Sequence, residues 1–383
     1  MQVFVDIFLA AALIPAIYYL IAIFSAWRFF STPDPTPDVS FTPPVSNLKP
    51  IRGLDPGAYE NFASFCRQDY PDYELLFCVG SMDDPAVPIL EQLRRDFPER
   101  QIRIVVEDGN GGVNDKVMKL DRLVREAKHD VLVINDSDVR ARGDYLRNVV
   151  APLADAKVGA VTCFYLPIEE KGLTQALQNI SMLSDFFAST LVARQLDGVK
   201  FALGTTIATR RSCLEQFGGY RTIKDRPGDD LLIGRLIAEQ GYEVRLSHYP
   251  ISTVPDYQSL RELLHKRMRW QVVMRHMRPW GHLGLLLTQG LPWAVAAIAL
   301  HPTPATAAVY LGIYSGLRCA MTWIIGVHGL KHPGVWRRMP LIVLWDGLAF
   351  AIWLASFGSN SIRWRNQQYR IRNGMLVPVT SKS

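Results

Sequence analysis

Apolar residues are distributed along this chain in two ways: long unbroken runs near both ends, and short runs separated by polar turns in between. From Val3 to Phe24 the residues are apolar with one charge, Asp6, and Arg28 follows. That length suits a helix crossing a bilayer. No basic segment precedes the run and no small-x-small cleavage site follows it, so it reads as a retained anchor rather than a cleaved signal peptide. Leu283–Leu300 and Ala305–Leu330 are two further apolar stretches, divided by the turn His301-Pro302-Thr303-Pro304. Pro340–Phe357 is a fourth, and it carries Asp346.

The intervening part, roughly 250 residues from Ser31 to Gly281, is long enough for a sizeable core. Ser31–Pro44, rich in Pro, Ser, Thr and Asp, reads as a linker. Beyond it the pattern alternates. Strands are expected at Val45–Pro50, Glu74–Val79, Ile102–Val106 and Val131–Ile134, and helices at Tyr59–Arg67, Pro85–Phe97 and Lys116–Ala127. This alternation predicts an α/β fold with a parallel sheet covered by helices on both faces. Further on, Gly159–Tyr165 suggests a strand, Leu173–Leu191 a long helix, and Phe201–Ala208 a strand with Gly204 inside it. Such a glycine signals close approach of a ligand or another backbone. Arg210–Phe217 reads as a helix stopped by Gly218-Gly219. The expected division is an anchor over 1–30, a linker over 31–44, an α/β domain over 45–256 and an interfacial amphipathic segment over 257–282. Transmembrane or re-entrant helices then fill 283–357, and a basic tail 358–383.

The net charge of +6 adds a direction to this picture. Basic residues crowd into His265–Arg269, Arg275–Arg278, Lys331–Arg338 and Arg363–Arg372, all flanking apolar segments. Such clusters mark the cytoplasmic side and favour anionic headgroups. A nucleic-acid surface would instead lie on the polar body, so no nucleic-acid partner is expected. Cys66, Cys78, Cys163, Cys213 and Cys319 show neither metal spacing nor pairing, which suits reduced thiols in a cytoplasmic domain.

Candidate chemistry sits at the ends of the predicted strands. Val131–Ile134 stops abruptly at Asn135-Asp136-Ser137-Asp138. Two carboxylates one residue apart, just beyond a strand, can present a hard divalent cation to a diphosphate. A plain Asp-rich turn is the other reading. Gly228-Asp229-Asp230 opens a helix-like segment; Asp229 suffices to complement the dipole, which leaves Asp230 as a candidate general base. Asp84 before Pro85 suits a helix start, and its neighbour Asp83 could bond a nucleotide's ribose or base. The glycines of Asp108–Lys116 lack P-loop spacing and read as a surface loop, although Lys116 could neutralise phosphate or contact a sugar. Lys266-Arg267-Met268-Arg269-Trp270 reads either as an interfacial helix or as a site with Arg269 on a leaving diphosphate and Trp270 against an acceptor.

Together these segments resemble the ceramide glucosyltransferases and, more closely, the bacterial hopanoid-associated glycosyltransferases. The shared signals are Leu48–Pro56, Asp69–Glu74, Asp83–Ala86, Asp136-Ser137-Asp138, Gly228-Asp229-Asp230, Arg269-Trp270, Ile362–Arg365 and Tyr369–Arg372. They run from the anchor to Gly374. The resemblance implies a GT-A (Rossmann-like) catalytic domain that uses a UDP-sugar with inversion on a lipid hydroxyl. The enzyme would be a multi-pass protein of the cell inner membrane with its catalytic domain in the cytoplasm.

Asp83 or Asp84 would contact the uridine, and Lys49, Lys116 and Lys266 would be substrate-binding. Asp136 and Asp138 would hold the sugar diphosphate with Mg²⁺ or Mn²⁺. Asp230 would deprotonate the acceptor, and Arg269 and Trp270 would belong to a Gln/Arg-x-x-Arg-Trp motif. Lys266 departs from that motif, because lysine lacks the planar fork of arginine. If Pro340–Phe357 spanned the membrane, the Arg-rich tail would lie outside, against the positive-inside tendency. A re-entrant or interfacial segment is therefore expected, with Asp346 along the lipid's access path. A processive polysaccharide synthase shares the fold but needs more spans. A non-catalytic nucleotide-sugar or lipid-binding scaffold does not need Asp136, Asp138 and Asp230.

Overall fold

The computed structural model describes residues 2–33, 40–108, 111–168, 170–255, 259–364 and 367–379. Helices α1 (Gln2–Ala11) and α2 (Ile14–Ser31) form one 30-residue apolar helix with a break before Pro15. The linker expected before Val45 lies partly outside the described residues.

The alternation read from the sequence is present. It runs β1 (Val45–Pro50), α3 (Ala58–Cys66), β2 (Tyr73–Val79), α4 (Val87–Asp96), β3 (Gln101–Val106), α5 (Asp115–Glu126) and β4 (Val131–Ile134). Successive side chains on a strand point to opposite faces, and the core divides accordingly. Leu76, Cys78, Leu132 and Ile134 join one apolar cluster, and Leu75, Phe77, Val131 and Val133 join the other. Both faces are buried, which explains why these strands are continuous apolar runs.

The second half departs from a simple parallel sheet. It contains β5 (Val139–Arg140), α6 (Tyr145–Val150), β6 (Val158–Pro167), α7 (Gly172–Ser181), a π-helical turn at Met182–Phe187 and α8 (Ala188–Asp197). Then come β7 (Ile207–Arg210), α9 (Arg211–Glu215), α10 (Asp229–Glu239) and β8 (Glu243–Thr253). The strand order is β3-β2-β1-β4-β7-β6-β8-β5. Strand β7 runs antiparallel between β4 and β6, and β5 antiparallel to β8, so the sheet is mixed.

The expected strand Phe201–Ala208 is mostly loop, and only its end pairs. Buried Thr162 satisfies that loop's backbone instead: its hydroxyl donates to Thr206 O at 2.8 Å and accepts from Leu203 N–H at 2.8 Å.

Beyond the sheet lie α11 (Leu260–Met277), α12 (Pro279–Gly284), α13 (Gly290–Leu300), α14 (Pro304–Trp323) with a π-helical extension to Gly329, and α15 (Leu341–Ser356). Gln2–Ser31 and Pro304–Gly329 are long and apolar enough to cross a membrane, and Pro279–Leu300 forms a pair bent by 55°. Asp346 is not open to a lipid path. It is 8% exposed, accepts from Tyr314 Oη at 2.7 Å and from Arg318 Nε at 2.9 Å, and so closes a buried ion pair. The basic tail also folds. Strands β9 (Ser361–Trp364), β10 (Gln367–Arg372) and β11 (Met375–Pro378) make a small antiparallel sheet against α11.

Candidate active site

The C-terminal ends of β1 and β4 lie side by side at the middle of the sheet, with Leu48 paired to Ile134. Ligands of open α/β sheets bind at that edge. Asn135, fully buried, anchors it. Its amide donates to Tyr145 Oη and Thr205 O, both at 2.7 Å, and accepts from Asn47 Nδ2 at 2.8 Å. One side chain thus ties β1, β4, α6 and the 203–206 loop together, and it aims the next residue, Asp136.

Three charged groups from distant parts of the chain meet in front of Asp136. Lys116, at the start of α5, places Nζ 2.8 Å from Asp136 Oδ1 and 3.0 Å from Asp229 Oδ2. Asp230 Oδ2 accepts from Gly204 N–H at 3.0 Å, and its Oδ1 from Leu231 N–H at 2.8 Å. Gly204 lies between them. A Cβ there would be 3.1 Å from Asp136 Oδ2, 3.3 Å from Asp230 Oδ2 and 3.4 Å from Lys116 Nζ. The two carboxylates therefore face each other across a single glycine, and a side chain there would press on both of them and on Lys116.

The electrostatics separate the groups. Burial, reinforced by Asp229, pushes the Asp230 carboxyl up to about 6. Burial works to lower Lys116, but Asp136, Asp229 and Asp230 outweigh it and hold the ammonium well above its ordinary value. Lys49 is different. Fully buried at the end of β1, it lies 3.5 Å over the Phe65 ring and donates to Asp136 O at 3.3 Å. Burial brings it down to about 7 despite Asp136 and Asp138 nearby. Asp138 follows on the same turn, its carbonyl accepting from Val254 N–H at 2.8 Å, while Ser137 between them donates to Asp55.

The remaining candidates divide. Asp84 is committed to backbone: it accepts from Gly53 N–H at 3.1 and 3.2 Å and from Ala86 N–H at 2.9 Å, so it shapes the loop after β1. Its neighbour Asp83 is exposed. On α11, the ring of Trp270 packs on Phe186 with centroids 5.9 Å apart. Arg267 lies 4.7 Å and Lys266 5.7 Å from that ring. Arg269 is half-buried on the same helix. The C-terminal end of this helix packs at Gly228, next to Asp229, where a Cβ would sit 3.2 Å from Met277 Sδ and 3.9 Å from Val273 Cγ1.

Four residues of this region escaped the sequence reading as site candidates. Asn135 and Asp229 stood inside the motifs but were passed over for their neighbours. Arg267 is the buried cation of its cluster, contacting Ser181, and burial lowers it to about 10. Its place in the series Leu263, Arg267, Trp270 at helical spacing was the available signal. Tyr165, at the end of β6, has its hydroxyl raised by burial and lies within electrostatic reach of Arg267, Asp230, Asp138 and Asp136. No local motif marks it.

Asp136 and Asp138 supply two hard carboxylates. Among the described residues no group of three or more His, Cys, Asp or Glu side chains could hold a metal ion. Two carboxylates would suit a divalent cation such as Mg²⁺ or Mn²⁺ whose remaining ligands come from outside the protein, rather than an ion caged by protein alone.

Four similarities bear on this geometry. The family described as "Glycosyl transferase family 21" matches residues 7–377. Ceramide glucosyltransferase 1 of Caenorhabditis elegans is 24% identical over 397 residues, covering 98% of this chain and 82% of that protein. Ceramide glucosyltransferase 3 of the same organism is 26% identical over 241 residues, covering 63% of this chain and 52% of that protein. Among solved structures, the mannosyltransferase PcManGT from Pyrobaculum calidifontis, in complex with GDP-Man and Mn²⁺, superposes with a TM-score of 0.61. It is 22% identical, and the match covers 89% of this chain and 99% of that one. The shared fold is that of the GT-A glycosyltransferases.

Proposed function

The chain belongs to glycosyl transferase family 21 and is a hexosyltransferase, and from that premise we propose that it moves glucose or N-acetylglucosamine from a UDP-sugar to a lipid hydroxyl, ceramide-like or hopanoid, with inversion. The observation that carries this reading is the meeting of Asp136, Lys116 and Asp230 around Gly204. An inverting displacement needs a base on the acceptor side and positive charge on the leaving diphosphate, with no covalent intermediate. Asp230, raised towards neutrality, takes the acceptor proton at Oδ2, while Lys116 and Arg269 stabilise the departing UDP. Trp270 forms the acceptor wall, and exposed Asp83 is better placed than Asp84 for the uridine. Lys49 and Lys266 add positive charge on the donor side. Mg²⁺ or Mn²⁺ held by Asp136 and Asp138 would neutralise the diphosphate as the glycosidic bond breaks.

The membrane arrangement follows the contacts back to the catalytic domain. Arg338 Nη2 lies 3.3 Å from Glu170 Oε2, and Leu376 N–H donates to Asp225 O at 2.7 Å. Both ends of Pro340–Phe357 therefore belong to the catalytic side, which supports a re-entrant or interfacial α15. By the same argument α12–α13 and α14 make one excursion across the bilayer and back. Basic clusters on that side support a cytoplasmic orientation in a cell inner membrane.

The test is full-length protein in lipid vesicles given UDP-glucose or UDP-N-acetylglucosamine with ceramide or a hopanoid polyol, and product lipids read by mass spectrometry. A glycosylated lipid is expected from one pairing, lost on chelation and restored by Mg²⁺ or Mn²⁺. Asp230→Asn should abolish transfer and leave UDP-sugar binding nearly intact. Loss of binding as well would remove Asp230 from the base's role, and no product from any pairing would overturn the reading.

A further inference from the structure

The small C-terminal sheet has two unlike faces. Its register places Ile362 opposite Tyr369 and Ile371 opposite Leu376, and all four are buried with Val272 of α11 and Val113. Alternation sends the other set outward: Arg363 opposite Gln368, Arg370 opposite Val377, and Arg372 opposite Met375. The three arginines are exposed, and Met375, Val377 and the following Val379 are 47%, 41% and 40% exposed. No acidic residue follows Asp346 in the sequence, whereas Arg363, Arg365, Arg370, Arg372 and Lys382 do. The sheet begins a few residues after the apolar α15 ends.

Guanidinium groups alternating with exposed apolar side chains suit the layer where anionic headgroups meet acyl chains. A nucleotide-sugar would use the arginines but would gain nothing from Met375, Val377 and Val379. The opposite face grips the catalytic machinery. Leu376 bonds to Asp225, and Asp225 Oδ1 accepts from Val113 N–H at 2.9 Å. Arg275 of α11 donates to Phe357 O at 2.8 Å, Ser359 O at 2.7 Å and Asn360 Oδ1 at 2.6 Å. We propose that the outer face of this sheet docks on an anionic lipid surface, and that docking steadies the helix bearing Arg269 and Trp270. Turnover then depends on anionic lipid in the host membrane as well as on the acceptor.

Two readouts on full-length protein in vesicles test this. In the first, Val377→Cys carries an environment-sensitive fluorophore, and labelled wild type controls for the native thiols. Quenching by brominated phosphatidylcholine should grow as phosphatidylglycerol is added and reverse at high salt, because surface attraction is screened. The triple variant R363Q/R370Q/R372Q should lose that growth, each basic side chain near an anionic surface being worth roughly a five-fold change in the docking equilibrium. In the second, wild-type turnover of UDP-glucose with ceramide should rise several-fold with phosphatidylglycerol. The triple variant should stay within about two-fold of its rate in phosphatidylcholine alone.

Quenching indifferent to phosphatidylglycerol, or a triple variant that still responds, overturns the proposal. Quenching that answers to UDP-glucose instead reassigns the face to nucleotide and overturns it equally. The turnover arm rests on the proposed glycosyl transfer and the quenching arm does not. Docking without product therefore counts against that function and not against the surface.

Discussion

Burial and the adjacent Asp229 raise the Asp230 carboxyl to about 6, which puts its titration just below neutral pH. A base must be ionised to act, so kcat/KM should fall as pH drops through about 6, and Asp229→Asn should move that limb to lower pH. A pH–rate profile checks both. The linkage sign follows: the folded state holds this proton more tightly than the unfolded one, so stability is lost as pH rises through about 6, and Asp230→Asn should be no less stable at neutral pH. Lys49 has the opposite sense. Its folded value of about 7 lies below the ordinary lysine value, so the unfolded chain binds the extra proton and stability rises between pH 7 and the lysine range. Lys49→Met should therefore melt higher at pH 7 while binding UDP-sugar more weakly, as thermal melts and nucleotide titration would show. Asp136, Lys116 and Asp230 could be singled out from sequence because each closes a local motif. Asn135 and Asp229 stand in the same motifs but act through partners tens of residues away, and no motif marks Tyr165.

At the scale of elements, strands β2 and β4 were legible because burial on both faces leaves a largely apolar run. The loop before β7 was not, because Thr162 supplies from another strand the hydrogen bonds that a ladder would have supplied. Strands β9 and β10 alternate inward apolar with outward polar or basic residues, and β11 alternates buried Leu376 with exposed Met375 and Val377. Read from sequence, their arginines point to headgroups, while the period of two is the signal that marks strands. The packing of α10 against the Phe201–Gly204 loop depends on Gly234, where a Cβ would fall 2.2 Å from Ala202 N. Gly234→Ala cannot be absorbed by a side-chain turn, because the obstacle is backbone. Overpacking of this kind costs about 1–3 kcal/mol or more, and here it also pushes Gly204 out from between the carboxylates. A lowered melting temperature together with loss of turnover is the expected outcome.

For the whole molecule, the apolar pattern located the helices long and apolar enough to cross a membrane, but how they attach to the α/β domain was invisible in it. The contacts are specific. His248 stacks on Phe29 at 4.0 Å and bonds its carbonyl at 2.6 Å, Arg318 pairs with Asp185 at 2.7 Å, and Arg338 and Leu376 return to the domain further along. The N-terminal helix near Phe29, α14 at Arg318 and the two flanks of α15 are thus each bound to the α/β domain. With the apolar helices in a bilayer, the carboxylates around Gly204 would stand at a set height above it, like a gauge with one reading. Acceptors should then be sorted by how far the hydroxyl projects from the interface, with tail length nearly irrelevant. Varying acyl length should leave kcat within about two-fold, whereas inserting one glycol unit between lipid and hydroxyl should lower it by about 100-fold, the scale of a 1 Å misplacement.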